Sequence, residues 1–335
     1  MLHLQHSQKT QTDVKWVFTM QLTWVLICFV LSVKTISAAE WCYQSQVSCN
    51  STCLGPDAWQ EISQQCGGSR QSPVNIVTKK TVKDKHLTPL QFVNYHKAST
   101  VTFINNGHTV QLDLPPGIVI SGGHLAANYK AIQLHLHWGK NGSSGSEHTI
   151  DGEKFPMEMH IVHIKEGYNS LSQAVTDPTG IAVLGFFFQE SLSENKKYTP
   201  LVDALKQIIK PTSNATLPDV SLEMLIPPLS SLNKYFRYNG SLTTPNCNEA
   251  VVWTLFESTI PLSRSQVSAF CQLHFPDGRE MIQIYRPVQP LNSRLVLYSK
   301  GNASLVSWVL LVMSVLLSTV WTKALFHADA VEKCE

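Results

Sequence analysis

The sequence predicts a mainly β fold: a single domain around a large, mostly antiparallel central sheet, with a few helices at its periphery. Three observations carry that expectation. Alternating apolar and polar residues recur over strand lengths along the middle of the chain, one continuous apolar run suits a strand buried on both faces, and helical periodicity is scarce.

Taken in order, Thr100 to Leu114 reads as two alternating runs around Asn106-Gly107, the favoured two-residue hairpin turn. Ala131 to Trp138 alternates strictly, and so does Met157 to His163. Gly180 to Phe188 is apolar throughout, as a central strand covered on both faces should be. The helical candidates are Leu201 to Ile209, preceded by Thr199-Pro200 as cap and first-turn proline, and Leu262 to Phe275.

Both ends read as processing signals. The run from Met20 to Leu31 is apolar and is followed by Ser37, Ala38 and Ala39, the layout of a cleaved secretory leader, with Met1 or Met20 as the start. Lys34 ends the run before it reaches the length of a membrane span. A second apolar run covers Leu305 to Trp321 and is followed by a polar end, Thr322 to Glu335. The expected organisation is therefore a leader with its extension over 1–39, one folded domain over 40–298, and a membrane-anchor signal over 299–335.

A formal net charge of +2 without a basic stripe excludes nucleic acid as a partner class. With Cys28 in the leader and Cys334 in the tail set aside, Cys42, Cys49, Cys53, Cys66, Cys247 and Cys271 remain. No Cys-x-x-Cys pair occurs, so disulfides in an oxidising compartment are the better reading than a thiolate metal site. Sequons at Asn50, Asn141, Asn214, Asn239 and Asn302 fit a glycosylated secreted protein.

The chemistry concentrates on two strands. In Gln133-Leu-His-Leu-His-Trp138, alternation puts Gln133, His135 and His137 on one face and Leu134, Leu136 and Trp138 on the other. Two imidazoles at i and i+2 stand about 6–7 Å apart at the backbone, close enough for their ring nitrogens to meet on one ion. A third, His160, follows Glu158 on the second alternating strand. Three such ligands with an open fourth position are what a catalytic zinc needs. Gln133 and Glu158 share the faces of their histidines and can accept the proton of the non-ligating nitrogen, which fixes each ring. No His-Glu-x-x-His is present, so a metalloprotease is excluded.

Gln133 to Gly139, Ser146 to Val162, Gln71-Ser-Pro-Val-Asn-Ile76 and Ser241-Leu-Thr-Thr-Pro245 together resemble the signature segments of the α-carbonic anhydrases. The resemblance runs in family order from about Trp41 to Ser299. Within the family, Trp41-Cys42-Tyr43 and Thr244 to Glu249 look like the extracellular, membrane-anchored form.

That resemblance implies an α-carbonic anhydrase fold and reversible hydration of CO2 to bicarbonate and a proton. His135, His137 and His160 are then zinc ligands, and attack comes from hydroxide held on the metal. Thr243 would accept the hydroxide's proton and pass its own to Glu147, and His108 would be the proton shuttle. Val162, Val183, Leu242, Val251 and Trp253 match the apolar wall for CO2, and Asn106, Gln111, Gln133 and Thr244 the polar wall. It further implies disulfides Cys42–Cys53 and Cys66–Cys247, leaving Cys49 and Cys271 either paired or free. The implied partners are CO2, water, bicarbonate and the membrane at the extracellular face, with bicarbonate transporters as candidates. Ser299 matches the position of a glycosylphosphatidylinositol anchor, against which stands a transmembrane helix over Leu305–Trp321. Some members of the family are catalytically silent binding domains that have lost a zinc histidine. All three are present here.

Overall fold

A computed structural model describes residues 40–48 and 52–299 of the 335-residue chain. The expected leader, Cys49, the sequons Asn50 and Asn302, and the C-terminal apolar run lie outside the described residues. The strands are β1 (Asn75–Ile76), β2 (Val82–Lys83), β3 (Leu90–Val93), β4 (Ser99–Asn105), β5 (Val110–Asp113), β6 (Val119–Gly122), β7 (Tyr129–Trp138) and β8 (Thr149–Ile150). They continue with β9 (Met157–Lys165), β10 (Ile181–Ser191), β11 (Asn214–Val220), β12 (Tyr235–Gly240), β13 (Val251–Phe256), β14 (Ile260–Ser263) and β15 (Leu297–Tyr298).

Thirteen strands form one sheet whose main path runs β11-β4-β5-β7-β9-β10-β13-β12-β15-β2. Most neighbours are antiparallel. The exceptions are β13 and β14, each parallel to β10, and β2, parallel to β15. The mainly β fold with a mostly antiparallel sheet is thus observed. β10 sits centrally because Ile181 to Phe188 presents no polar side chain to either face, and all eight residues are buried. Among the described residues, no helix is long and apolar enough to cross a membrane.

The two faces of β7 and β9 separate structure from chemistry. Leu134, Leu136, Trp138, Met157, Met159 and Ile161 join the larger apolar core. The opposite face carries the histidines and is backed by a second apolar cluster containing Val162, Val183, Val251 and Trp253. Burying a large apolar side chain contributes about 1.5–3 kcal/mol, so the first face holds the strands in place while the second stays open to polar groups.

Four local expectations need correction. The hairpin between β4 and β5 closes through residues 106–109 rather than two, because the Asn106 carboxamide takes over the turn, accepting from the N–H groups of His108 (3.0 Å) and Thr109 (2.9 Å). Strict alternation in β7 breaks at a bulge between Ala131 and Gln133. The helix expected at Leu201–Ile209 runs over Thr199–Ala204 and tightens into a 3-10 turn at Leu205–Gln207; Thr199 lies inside its first turn, after Tyr198. The segment from Leu262 starts as strand, because Ser263 ends β14 and caps the helix Arg264–Ala269, its side chain accepting from Gln266 N–H.

Candidate metal centre

Antiparallel pairing of β7 and β9 sets His135 directly opposite His160, and His137 opposite Glu158. Each imidazole has one nitrogen committed to an acceptor. His135 Nδ1 donates to Gln133 Oε1 (2.9 Å), His137 Nδ1 to the Ile284 carbonyl (2.8 Å), and His160 Nε2 to Glu158 Oε1 (2.7 Å). An acceptor on one nitrogen fixes the proton there and leaves a lone pair on the other. The three lone-pair nitrogens therefore converge: His137 Nε2 lies 3.1 Å and His135 Nε2 3.3 Å from His160 Nδ1.

Three lone pairs at such distances repel unless a cation lies between them. A tetrahedral zinc with nitrogen ligands at ~2.0–2.1 Å spaces those ligands by about 3.3 Å, which the two nitrogen separations match. The donor set fits zinc. Protonation is disfavoured at His135 and His137. Burial, then the neighbouring imidazoles of His137 and His160, push His135 well below its ordinary value, and burial lowers His137 against the pull of Glu147.

Behind the tripod lies a polar network. Glu158 is fully buried, and burial alone would raise its carboxyl; the pull of His148 and His160 overcomes this and holds it well below the usual range. Its Oε2 accepts from the N–H groups of Glu147 and His148, both at 2.8 Å, and its Oε1 also accepts from His148 Nδ1 at 2.7 Å. The chain continues from His148 Nε2 to Tyr238 Oη (2.6 Å) and on to Ser72 Oγ (2.8 Å), which accepts from Ser241 N–H (3.0 Å). A carboxylate with every lone pair occupied is a stiff support for its histidine. His148, Tyr238 and Ser72 were not singled out in the sequence. His148 lies within the Ser146–Val162 segment, whereas Tyr238 on β12 carries no local signal.

Glu147 is also buried. Its Oε1 accepts from Arg286 N–H (2.8 Å), while Oε2 lies 3.4 Å from His137 Nε2 and has no hydrogen-bond partner among the described residues. Thr243 is buried in the loop after β12, yet it is not hydrogen-bonded to that oxygen. The loop is tied down by the Cys66–Cys247 disulfide and by Gln71, whose Nε2 donates to the Cys247 carbonyl (3.2 Å) and to Glu249 Oε1 (3.1 Å). Arg286, unmarked in the sequence, joins these pieces by donating to Gln71 Oε1, Ser72 O and Cys66 O. The second disulfide is Cys42–Cys53, and among the described residues Cys271 is a free buried thiol.

Val162, Val183, Val251 and Trp253 are brought together, with Leu242 packed against them. The Trp253 ring is 4.8 Å from that of His160. Asn106 and Gln111 form a weak pair at 3.4 Å, Gln133 holds His135, and Thr244 is half-buried beside Thr243. His108 is stacked on Trp41 with ring centroids 3.8 Å apart, and burial lowers its pKa to about 4. Ser299 is buried, its hydroxyl donating to the Asn233 carbonyl at 2.6 Å.

The family model of the eukaryotic-type carbonic anhydrases matches residues 54–300. The chain belongs to that family. It is 43% identical over 292 residues to carbonic anhydrase 4 of Oryctolagus cuniculus, covering 86% of this chain and 93% of the relative. Against carbonic anhydrase 4 of Rattus norvegicus it is 39% identical over 292 residues, covering 86% and 94%. Carbonic anhydrase 12 of Homo sapiens is 36% identical over 300 residues, covering 86% and 80%. This protein is therefore a carbonic anhydrase enzyme, and the family is zinc-dependent. Its histidine cluster sits on the face opposite the larger apolar core.

Proposed function

We propose that this carbonic anhydrase hydrates CO2 at the extracellular face of the plasma membrane, with zinc held by His135, His137 and His160. The observation that carries the reading is the convergence of three imidazole lone pairs whose opposite nitrogens all donate to acceptors. When bound, zinc supplies the family's known chemistry, a Lewis acid that makes hydroxide available near neutral pH.

The chain's own residues do the rest. Gln133, Glu158 and the Ile284 carbonyl hold the rings in one tautomer. Glu147 Oε2 is a buried acceptor awaiting a donor, and leaving it unpaired is costly. The Thr243 hydroxyl, not bonded to that oxygen in this structure, would turn to donate to it in the working site and so aim its own lone pair at the reacting water, which orients the nucleophile. Val162, Val183, Leu242, Val251 and Trp253 exclude water from the side where a linear, uncharged substrate lies. Asn106, Gln111, Gln133 and Thr244 order the water that carries the proton outward. His108 exports the proton. In its stack on Trp41 the ring stays neutral down to about pH 4, so it collects protons only after swinging out into solvent.

The cellular placement rests on the apolar leader, the terminal apolar run and the disulfides, which suit an oxidising compartment. We favour a glycosylphosphatidylinositol anchor at Ser299, or at Gly301 or Asn302 beside it, over a transmembrane helix. The seventeen residues of Leu305–Trp321 are short for a span, and the tail beyond them carries few positive charges. Treating intact cells with phosphatidylinositol-specific phospholipase C tests this. Release of active enzyme is expected; retention together with a detectable Glu335 terminus would establish the helix instead.

A further inference from the structure

A second group of metal-ligating side chains lies on the surface. Asp84, His86 and His124 each offer a ligand atom, and these atoms lie within 4.8 Å of one another. They come from different parts of the chain. β3 pairs with β6 so that Leu90, the first residue of β3, faces Gly122, the last of β6. The segment before β3 and the turn after β6 therefore emerge at the same edge.

Both halves are held by β12. Tyr235 Oη donates to the Thr88 carbonyl (2.6 Å), and the Arg237 guanidinium donates to the Gly123 carbonyl (2.8 Å). Asp84 is fixed in turn by its N–H, which donates to the Tyr298 carbonyl at 3.0 Å. At Gly123 a Cβ would lie 2.7 Å from Leu90 Cδ2, and the next residue, His124, has φ +59°. A left-handed non-glycine residue is uncommon, and here it brings the His124 ring to 5.5 Å from that of His86.

We propose that Asp84, His86 and His124 form a surface site for a late first-row divalent cation, zinc or copper, separate from the histidine tripod. The donor set suits such ions: two imidazoles and a carboxylate, with remaining positions open to water. The Asp84 Oδ1 atom already accepts from both the backbone N–H (2.9 Å) and Nδ1 (2.8 Å) of His86. Binding needs the ligand atoms to stand about 3.3 Å apart, so His86 gives up its bond to Asp84 while His124 draws in. The His86 side chain is 62% exposed and free to turn, while Asp84, at 18%, supplies the fixed charge.

The test uses the full chain already loaded with one equivalent of zinc. Calorimetric titration with Zn2+, and with Cu2+ followed by electron paramagnetic resonance, is expected to show a second bound equivalent with imidazole nitrogens on the copper. The first zinc should be retained and CO2 hydration unchanged. His86→Ala should weaken the second step by about tenfold or more, as should His124→Asn, which tolerates the left-handed backbone. Together they should abolish it. A single-equivalent stoichiometry would overturn the proposal, and so would a second ion that persists in the double variant.

Discussion

Glu147 Oε2 and the Thr243 hydroxyl define the residue-scale question, because one is a buried acceptor without a donor among the described residues and the other a buried hydroxyl in the neighbouring loop. If Thr243 fills that need and orients the attacking water, Thr243→Ala should lower kcat on the order of 10²-fold, as when a preorganised hydrogen-bond partner is removed. Zinc content should not change; an undiminished kcat would remove Thr243 from the mechanism. His108 makes a different prediction. His108→Ala should slow turnover in weakly buffered solution, and added imidazole should restore much of the rate. Absence of rescue would mean that another group exports the proton. At this scale the sequence exposed the three histidines and their nearest supports, since His135 with Gln133 and His160 with Glu158 each stand two positions apart on one strand. It did not expose Tyr238 or Arg286, which reach the network across 90 and 139 positions through His148 and Glu147.

At the scale of elements, alternation located β7 and β9 because each buries one face in the larger core and carries its histidines on the other. Alternation failed at the bulge after Ala131, where an extra residue changes which face the strand presents. The hairpin was misjudged because an asparagine side chain, not the backbone dihedral preference of Asn-Gly, closes the turn. The element most exposed to test is the loop after β12. Cys66 and Cys247 are 181 positions apart, so chain entropy sets an upper limit of about 5 kcal/mol on what their disulfide contributes. Replacing both with Ser should lower the denaturant midpoint and reduce kcat while zinc remains bound, since Thr243 and Leu242 belong to the same loop. An unchanged midpoint would show that Gln71 and Arg286 hold the loop without it.

At the scale of the molecule, the mainly β class was legible because long alternating or wholly apolar segments leave few residues for helices. Strand order was not, since the parallel placement of β13 beside β10 joins segments some 70 positions apart. That placement lets Val183 and Trp253 share a wall beside His160, so the apolar pocket is a product of topology rather than of any motif. Fold, pocket and proton path all serve one centre, the three converging imidazoles that would hold the catalytic zinc. The most direct measurement is CO2 hydration and zinc content of the purified protein before and after chelation, alongside His160→Ala. One tightly bound zinc per chain is expected, with loss of activity on its removal, recovery with one equivalent of zinc, and neither metal nor activity in a folded His160→Ala protein. Full activity in that variant, or in the metal-free enzyme, would contradict it.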